Sequence, residues 1–321
     1  LAKEKRFCDL EKMDSLKAGD KVYFNNMGKA LALFLIGSEP LEKGMKILGA
    51  HVDSPRIDLK QVPWYEDTEM ALLDTHYYGG IKKYQWVTLP LALHGVIVKK
   101  DGTVVNVCIG EAADDPVVGI TDLLIHLSAK QMGKKASEVI EGEDLNILIG
   151  SMPLEGEEKD AVKANVLKML KDTYDIEADD FLSAEIEAVP AGAARDFGLD
   201  RSMVMGYGHD DRVCAYPALA AILEKEAPVH TLMAILADKE EVGSGGNTGM
   251  KCSVFIDLIA SLSKTLGANE YLVRFNSKCL SADVNAAYDP NFGDVYEARN
   301  SSFINKGVVM TKYTGSGVNR S

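Results

Sequence analysis

Glu240 and Glu241 stand side by side shortly after an apolar run, Thr231 to Ala237, whose composition predicts a buried strand. Two carboxylates shielded from water at a strand end must share a proton or be neutralised by a cation. A metal site is therefore the chemistry this pair supports, against the simpler alternative of a solvated turn. Three other segments deliver similar groups at predicted element boundaries. His51-Val52-Asp53-Ser54-Pro55 follows a short apolar strand candidate, Met45 to Ala50, and Asp283 follows another near Lys278 to Ser281. Gly208-His209-Asp210-Asp211-Arg212 precedes a helix-like run. One histidine with several carboxylates, and no cysteine among them, suits zinc, manganese or cobalt rather than a thiolate site.

The elements that must position these groups read as α/β. Pro217 to Glu224 and Val254 to Leu266 are helical in pattern, Thr231 to Ala237 is a strand, and Tyr271 to Ser281 returns toward strand. Such alternation implies a layered structure with a largely parallel or mixed sheet. In open α/β sheets, ligands collect outside the carboxyl ends of the strands, where boundaries distant in sequence can converge. Between these halves the pattern changes. Trp86 to Ile109 reads as strands, with a hairpin from Val96 to Val105 around an Asp101-Gly102 two-residue turn. Ile120 to Met132 and Glu158 to Leu170 read as helices, the second with an apolar face of Val162, Val166, Met169 and Leu170, and Ala184 to Val189 as a strand. Because His51 must join the later half to meet Glu241, the simplest architecture is a catalytic domain of residues 1–60 and 201–321 interrupted by an inserted domain of residues 61–200.

Composition sets bounds on partners. The chain has 321 residues, 46% hydrophobic and 26% charged, ordinary for a globular protein with a large core. A formal net charge of -13 argues against nucleic acid or an anionic membrane as partner. The longest apolar stretch, Trp86 to Val98, is interrupted by Thr88, Pro90 and His94 and falls short of the ~20 residues a spanning helix needs. Leu1 to Leu10 is charged and lacks a signal-peptide core and an initiating methionine, so the expectation is a cytoplasmic protein whose natural start lies upstream. The five cysteines, Cys8, Cys108, Cys214, Cys252 and Cys279, are scattered, with no C-x-x-C spacing, and are expected to be buried, reduced thiols.

The blocks HVDSPRIDLK, HYYGGIKKYQW, GHDDRVCAYPAL, DKEEVGSGGNTGM and SADVNAAYDPNF, in this order, resemble the aspartyl aminopeptidase and vacuolar aminopeptidase I family of zinc metallopeptidases, most of all its bacterial branch. The resemblance implies a cocatalytic-metal exopeptidase-like α/β catalytic domain interrupted by a β-rich dimerisation domain. It further implies a cofactor of two divalent ions, zinc above all, with cobalt or manganese as substitutes. Position by position, His51, Asp210, Glu241 and Asp283 match metal ligands, Asp210 being the bridging one with Asp211 as fallback. Glu240 matches the general base, and Asp53 the carboxylate that hydrogen-bonds the His51 imidazole and fixes its tautomer. His126 matches a histidine that one subunit presents to its neighbour's active site. Substrates would be peptides with a free N-terminus, and the assembly a tetrahedral dodecamer formed through the inserted domain.

Two departures from the family accompany the likeness. Its last metal ligand is a histidine in a further C-terminal segment, whereas this sequence stops at Ser321 after Lys312-Tyr313-Thr314-Gly315-Ser316-Gly317. The sequence thus reads as incomplete, and without that ligand the expectation is impaired metal retention and little activity. Relatives that prefer acidic N-terminal residues carry a basic residue near Val308 to Lys312, but here Thr311 aligns and Lys312 is one place later. On a strand that shift reverses the face, so acidic substrates are not implied.

Of the remaining histidines, His76 reads as support for a turn, His94 as core, His209 as a bystander and His230 as a surface residue. Two rival functions compete with this reading. A nonenzymatic assembly protein on the same fold predicts that Glu240, Asp210 and Asp283 are scattered or filled by hydrogen bonds. A nucleotide-binding enzyme would use Gly243-Ser244-Gly245-Gly246-Asn247-Thr248-Gly249 as a phosphate loop, but the G-x-x-x-x-G-K-[ST] pattern is missing. A Ser-His-Asp hydrolase lacks its G-x-S-x-G elbow.

Overall fold

The computed structural model describes residues 1–312. In chain order its strands are β1 (Cys8–Asp9), β2 (Lys21–Asn26), β3 (Ala30–Leu35), β4 (Lys46–His51), β5 (Arg56–Asp67), β6 (Met70–Tyr78), β7 (Leu91–Val98), β8 (Val104–Ile109), β9 (Ile147–Gly150), β10 (Glu185–Pro190), β11 (Arg195–Phe197), β12 (Met203–Met205), β13 (Leu232–Ala237) and β14 (Lys278–Ser281). The α-helices are α1 (Ala129–Met132), α2 (Ala161–Tyr174), α3 (His209–Leu223), α4 (Val254–Thr265) and α5 (Glu270–Asn276). They form two compact units. The first comprises 1–52, 209–239 and 245 onward, and the second 53–208 with 240–244.

The first unit is built on a six-stranded mixed sheet in the order β1-β2-β3-β13-β4-β14. Its strands β3 and β13 are nearly continuous apolar runs because both faces of the sheet are covered. On one face Phe34, Met233, Ile235 and Ala237 pack with Phe255, Leu258 and Leu262 of α4 and Val273 of α5. On the other, Leu33, Leu35 and Ala234 meet Ile222 and Leu223 of α3. Strand β4 pairs in parallel with both β13 and β14, placing Ala237 opposite His51 and Ser281 opposite Gly49. The pairing continues past the strand ends, where Val52 N–H donates to the Ala237 carbonyl at 2.8 Å and Ala282 N–H to the Gly49 carbonyl at 2.7 Å. Three chain segments therefore leave this sheet at one edge and in one direction.

The second unit holds a six-stranded antiparallel sheet, β8-β7-β10-β5-β6-β9, and a small two-stranded sheet, β11-β12. Its core is Ile57, Leu73, Leu91, Ile97, Leu145, Ile147, Ile176 and Phe181 with their neighbours. Helix α2 buries Val162 and packs Leu170 against this core, but Met169, read as part of the apolar face, is exposed.

Four local expectations are corrected. The hairpin turn holds three residues, since Lys99 N–H bonds the Thr103 carbonyl and Gly102 N–H returns to the Lys99 carbonyl. Gly102 takes φ +86°, the left-handed conformation a three-residue hairpin loop requires. The helix predicted over Ile120 to Met132 is reduced to α1. Upstream of it Asp122 Oδ1 accepts from its neighbour Leu123 N–H and from Gln131 Nε2, a local arrangement that competes with helix. The strand predicted from Tyr271 to Ser281 is instead α5 followed by β14. Asn269 starts the helix by accepting from the Tyr271 and Leu272 N–H groups. Lastly, Cys8, Cys108 and Cys279 are exposed and Cys214 and Cys252 half-buried, and all five are free thiols.

Candidate metal centre

His51 ends β4 with its side chain 4% exposed. Its Nε2 lies 3.0 Å from Asp210 Oδ1 and 3.7 Å from Asp283 Oδ1. Asp210 enters from the first turn of α3, and Asp283 from the residues just after β14. One ligand atom from each of the three lies within 4.8 Å of the others. The parallel pairing of β14 with β4 causes the convergence, and α3, packed beside β4 through Ala215, Ala50 and Leu236, supplies the third arm.

The electrostatics favour a cation. Partial burial and then the neighbouring charge of Asp283 raise the Asp210 carboxyl above its ordinary range, while His51 pulls it back. Two carboxylates facing each other beside one imidazole are what a divalent ion would relieve, and N/O donors of this kind suit zinc. The residues present fit the metal. Asp211, the fallback ligand, has a fully buried carboxylate with no hydrogen-bond partner of normal geometry. Burial raises its pKa, and the polar groups facing it are the Cys214 thiol and the His51 main chain. Its oxygens are not among the ligand atoms that His51, Asp210 and Asp283 bring together.

Within the second unit, Asp53 is 6% exposed and heavily used. Its Oδ1 accepts from Glu240 N–H at 3.1 Å, and its Oδ2 from Glu241 N–H at 3.2 Å and from the Tyr78 hydroxyl at 2.7 Å. The paired glutamates lie in one short 3₁₀ turn, Glu240–Val242, whose main chain hangs on this carboxylate. Gly79, at φ +76°, passes so close that a Cβ there would sit 3.2 Å from Glu241 Cβ. The tyrosine was missed by sequence reasoning, although it lies in the HYYGG block. Nothing in the strand's own sequence marks it, because the register between β6 and β5 is what puts Tyr78 opposite Arg56.

The other histidines divide. His126 is exposed in a turn before α1 rather than on a helix. His94 is not core: it is 37% exposed and its Nε2 lies 2.8 Å from Glu111 Oε1. His76 is exposed on β6, stacked on Tyr77 rather than supporting a turn. His209 is exposed at the start of α3, and His230 is half-buried with an unpartnered Nδ1 instead of lying on the surface. The stretch 308–312 is irregular and exposed, so the strand-face argument about Thr311 and Lys312 does not apply. The residues Tyr313 to Gly317 and Ser321 lie outside the described residues.

The part of the glycine-rich loop that belongs to the first unit is held by bonds within that unit. Asn26 Nδ2 donates to the Asn247 carbonyl, Thr248 Oγ1 donates to Asp238 Oδ2 at 2.5 Å, and the next helix, α4, starts only at Val254. Among the described residues no helix is long and apolar enough to cross a membrane.

Comparison with known proteins agrees with this chemistry. The model of the aminopeptidase I zinc metalloprotease (M18) family matches residues 1–320. A probable M18 family aminopeptidase 1 of Clostridium acetobutylicum is 61% identical over 312 residues, covering 96% of this chain and 67% of its own length. The Thermotoga maritima counterpart is 44% identical over 318 residues, covering 98% and 70%. The crystal structure of aminopeptidase I from C. acetobutylicum superposes with a TM-score of 0.91 at 58% identity, covering 98% of this chain and 71% of that one. Yeast mApe1, solved as a dodecamer, shares the fold at 23% identity, with a TM-score of 0.74 and coverage of 95% and 70%. With the family model matched along nearly its whole length and a metal-competent trio at one edge of its mixed sheet, the chain belongs to the M18 aminopeptidase I family and is a zinc-dependent aminopeptidase.

Proposed function

We propose that the protein removes the N-terminal residue of peptides with a pair of divalent ions held by His51, Asp210, Glu241 and Asp283, Asp210 bridging them. The observation that carries this reading is the gathering of His51, Asp210 and Asp283 ligand atoms within 4.8 Å of one another. Ions bound there would acidify a shared water and polarise the scissile carbonyl. Glu240 is the general base, its carboxylate taking the proton from the nucleophilic water and returning it to the leaving amine. Asp53, two residues after His51, fixes the main chain from which Glu240 and Glu241 project. Fixing that main chain matters because catalysis by proton transfer depends on placing the base within hydrogen-bond reach of its proton.

The inserted segment, 61–200, would serve self-association into a dodecamer, with His126 presented to a neighbour's substrate site. Its exposed surroundings, Leu123, Leu124, Ile125 and Leu127, support an interface role. A cytoplasmic location fits the family's bacterial members.

Elemental analysis of the intact full-length protein, compared with Glu241→Ala and paired with hydrolysis of substrates differing in the N-terminal residue, tests the proposal. Near two zinc ions per chain, loss in the variant and metal-dependent release of one residue are expected, and the panel ranks acidic against other residues. No bound metal and no hydrolysis after loading with zinc, cobalt or manganese would overturn it.

A further inference from the structure

Four polar side chains converge on one face of the second unit's sheet. Arg56 and Asp58 lie two apart on β5, Tyr78 faces Arg56 from β6, and Glu187 faces Asp58 from β10. The Arg56 guanidinium is only 12% exposed and is gripped from two sides, by Asp58 at 2.7 Å through Nε and by Glu187 at 3.3 Å. Its central carbon sits 3.7 Å from the Tyr78 ring centroid. A planar cation tethered by two carboxylates has little freedom to leave that ring face. The ring is 8% exposed, and its hydroxyl points into Asp53.

We propose that Arg56 and Tyr78 are positioning residues for the hydrolysis: Arg56 fixes the Tyr78 ring, and the Tyr78 hydroxyl locks the Asp53 carboxylate that anchors the Glu240 and Glu241 main chain. The inference rests on the proposed role of Glu240. An aspartate has about four lone-pair directions, and the Tyr78 hydroxyl and the Glu240 and Glu241 amides are among the donors that hold Asp53 in place. Of these, the two amides belong to the turn being positioned. Tyr78 is the donor that comes from a regular strand, so it conveys the rigidity of the sheet to the glutamates. A cation over the ring face also draws electron density from the phenol and strengthens its donation.

The test compares Tyr78→Phe, Arg56→Met and Arg56→Lys in the zinc-loaded full chain. The readouts are kcat and KM on an aminoacyl p-nitroanilide, zinc per chain, thermal midpoint, and amide hydrogen exchange at Glu240 and Glu241. Tyr78→Phe keeps the ring and removes only the hydroxyl. Its kcat is expected to fall ~10–100-fold, as for other outer-shell changes, with KM within about twofold. Exchange at the Glu240 and Glu241 amides should quicken while that of the β5–β6 ladder does not. Arg56→Met should act in the same direction, and Arg56→Lys, which keeps a cation near the ring, should recover part of the loss. Unchanged kcat and unchanged exchange in Tyr78→Phe would overturn the inference, as would faster exchange spread evenly through the sheet. Glu240→Gln is assayed beside them. If it stays active, the reading of Glu240 as base fails, while the exchange at 240 and 241 still decides whether Tyr78 anchors that turn.

Discussion

Asp210 Oδ1 and His51 Nε2 lie 3.0 Å apart, with Asp283 Oδ1 3.7 Å from the same nitrogen. A zinc ion competes with protons for all three groups, so its affinity must rise with pH through the range in which they deprotonate. Asp210→Asn keeps the shape and removes one charge. Since outer-shell changes alone cost ~10–100-fold in metal affinity, zinc binding should weaken at least ~100-fold, and hydrolysis should be lost with it. Competition against a chromogenic chelator at several pH values measures this, and an unchanged affinity would remove Asp210 from the ligand set.

Gly79→Ala should impair hydrolysis more than it impairs folding. The residue holds φ +76°, where a side chain costs about 1–2 kcal/mol. The added Cβ would also press on Glu241 Cβ at 3.2 Å and on Pro55 at 3.4 Å. The expected result is a thermal midpoint lowered by a few degrees, with a larger proportional fall in kcat. Wild-type kcat in a strained but folded variant would show that the Gly79 backbone does not constrain Glu241.

The Asp175 carboxylate has its pKa held down to about 2 by hydrogen bonds from Lys171 and Lys99, and by their charges. A depressed folded-state pKa stabilises the protein above the unfolded value near 4 and loses that contribution as pH falls towards 2. Lys171→Met should therefore move the Asp175 titration upward and shrink the change in stability between pH 4 and pH 2. Carboxyl carbon NMR reads the titration directly. Because the side chains are exposed, the effect should fade in high salt, and a salt-independent shift would contradict the ion-pair origin.

Thiol labelling should separate the cysteines. Burial and then the contact with Asp211 push the Cys214 thiol up to about 12, so it stays protonated at pH 8. Maleimide at that pH should modify exposed Cys8 and Cys108 well before Cys214. Mass mapping of early labelling products checks the order, and early modification of Cys214 would contradict it.

Much of the first unit was legible because its strands β4, β13 and β14 are short apolar runs that end directly in polar, chemistry-bearing residues. His51, Asp210 and Asp283 could each be placed at an element boundary, and the parallel pairing of those strands brings them together. Less was legible where local side chains compete with periodicity. Leu123, Leu124, Ile125 and Leu127 gave a helical pattern, yet Asp122 captures the neighbouring N–H and all four apolar side chains are exposed. The β-rich composition of Tyr271 to Ser281 reads as strand, yet Asn269 caps the first turn and a helix forms there. Tyr78 was hidden for another reason. Its role depends on the register between β5 and β6, and cross-strand register is a tertiary property that one strand's sequence does not state.

The three residues of the first unit proposed to hold metal are far apart along the chain, at positions 51, 210 and 283. During synthesis, at roughly 5–20 residues per second, the trio cannot exist until Asp283 has emerged from the ribosome. A nascent fragment that stops short of Asp283 therefore lacks one of the three groups proposed to hold the metal. On the proposed ligand set, the residue that completes this trio is laid down more than two hundred positions after the first, so metal capture there waits on the docking of β14 beside β4.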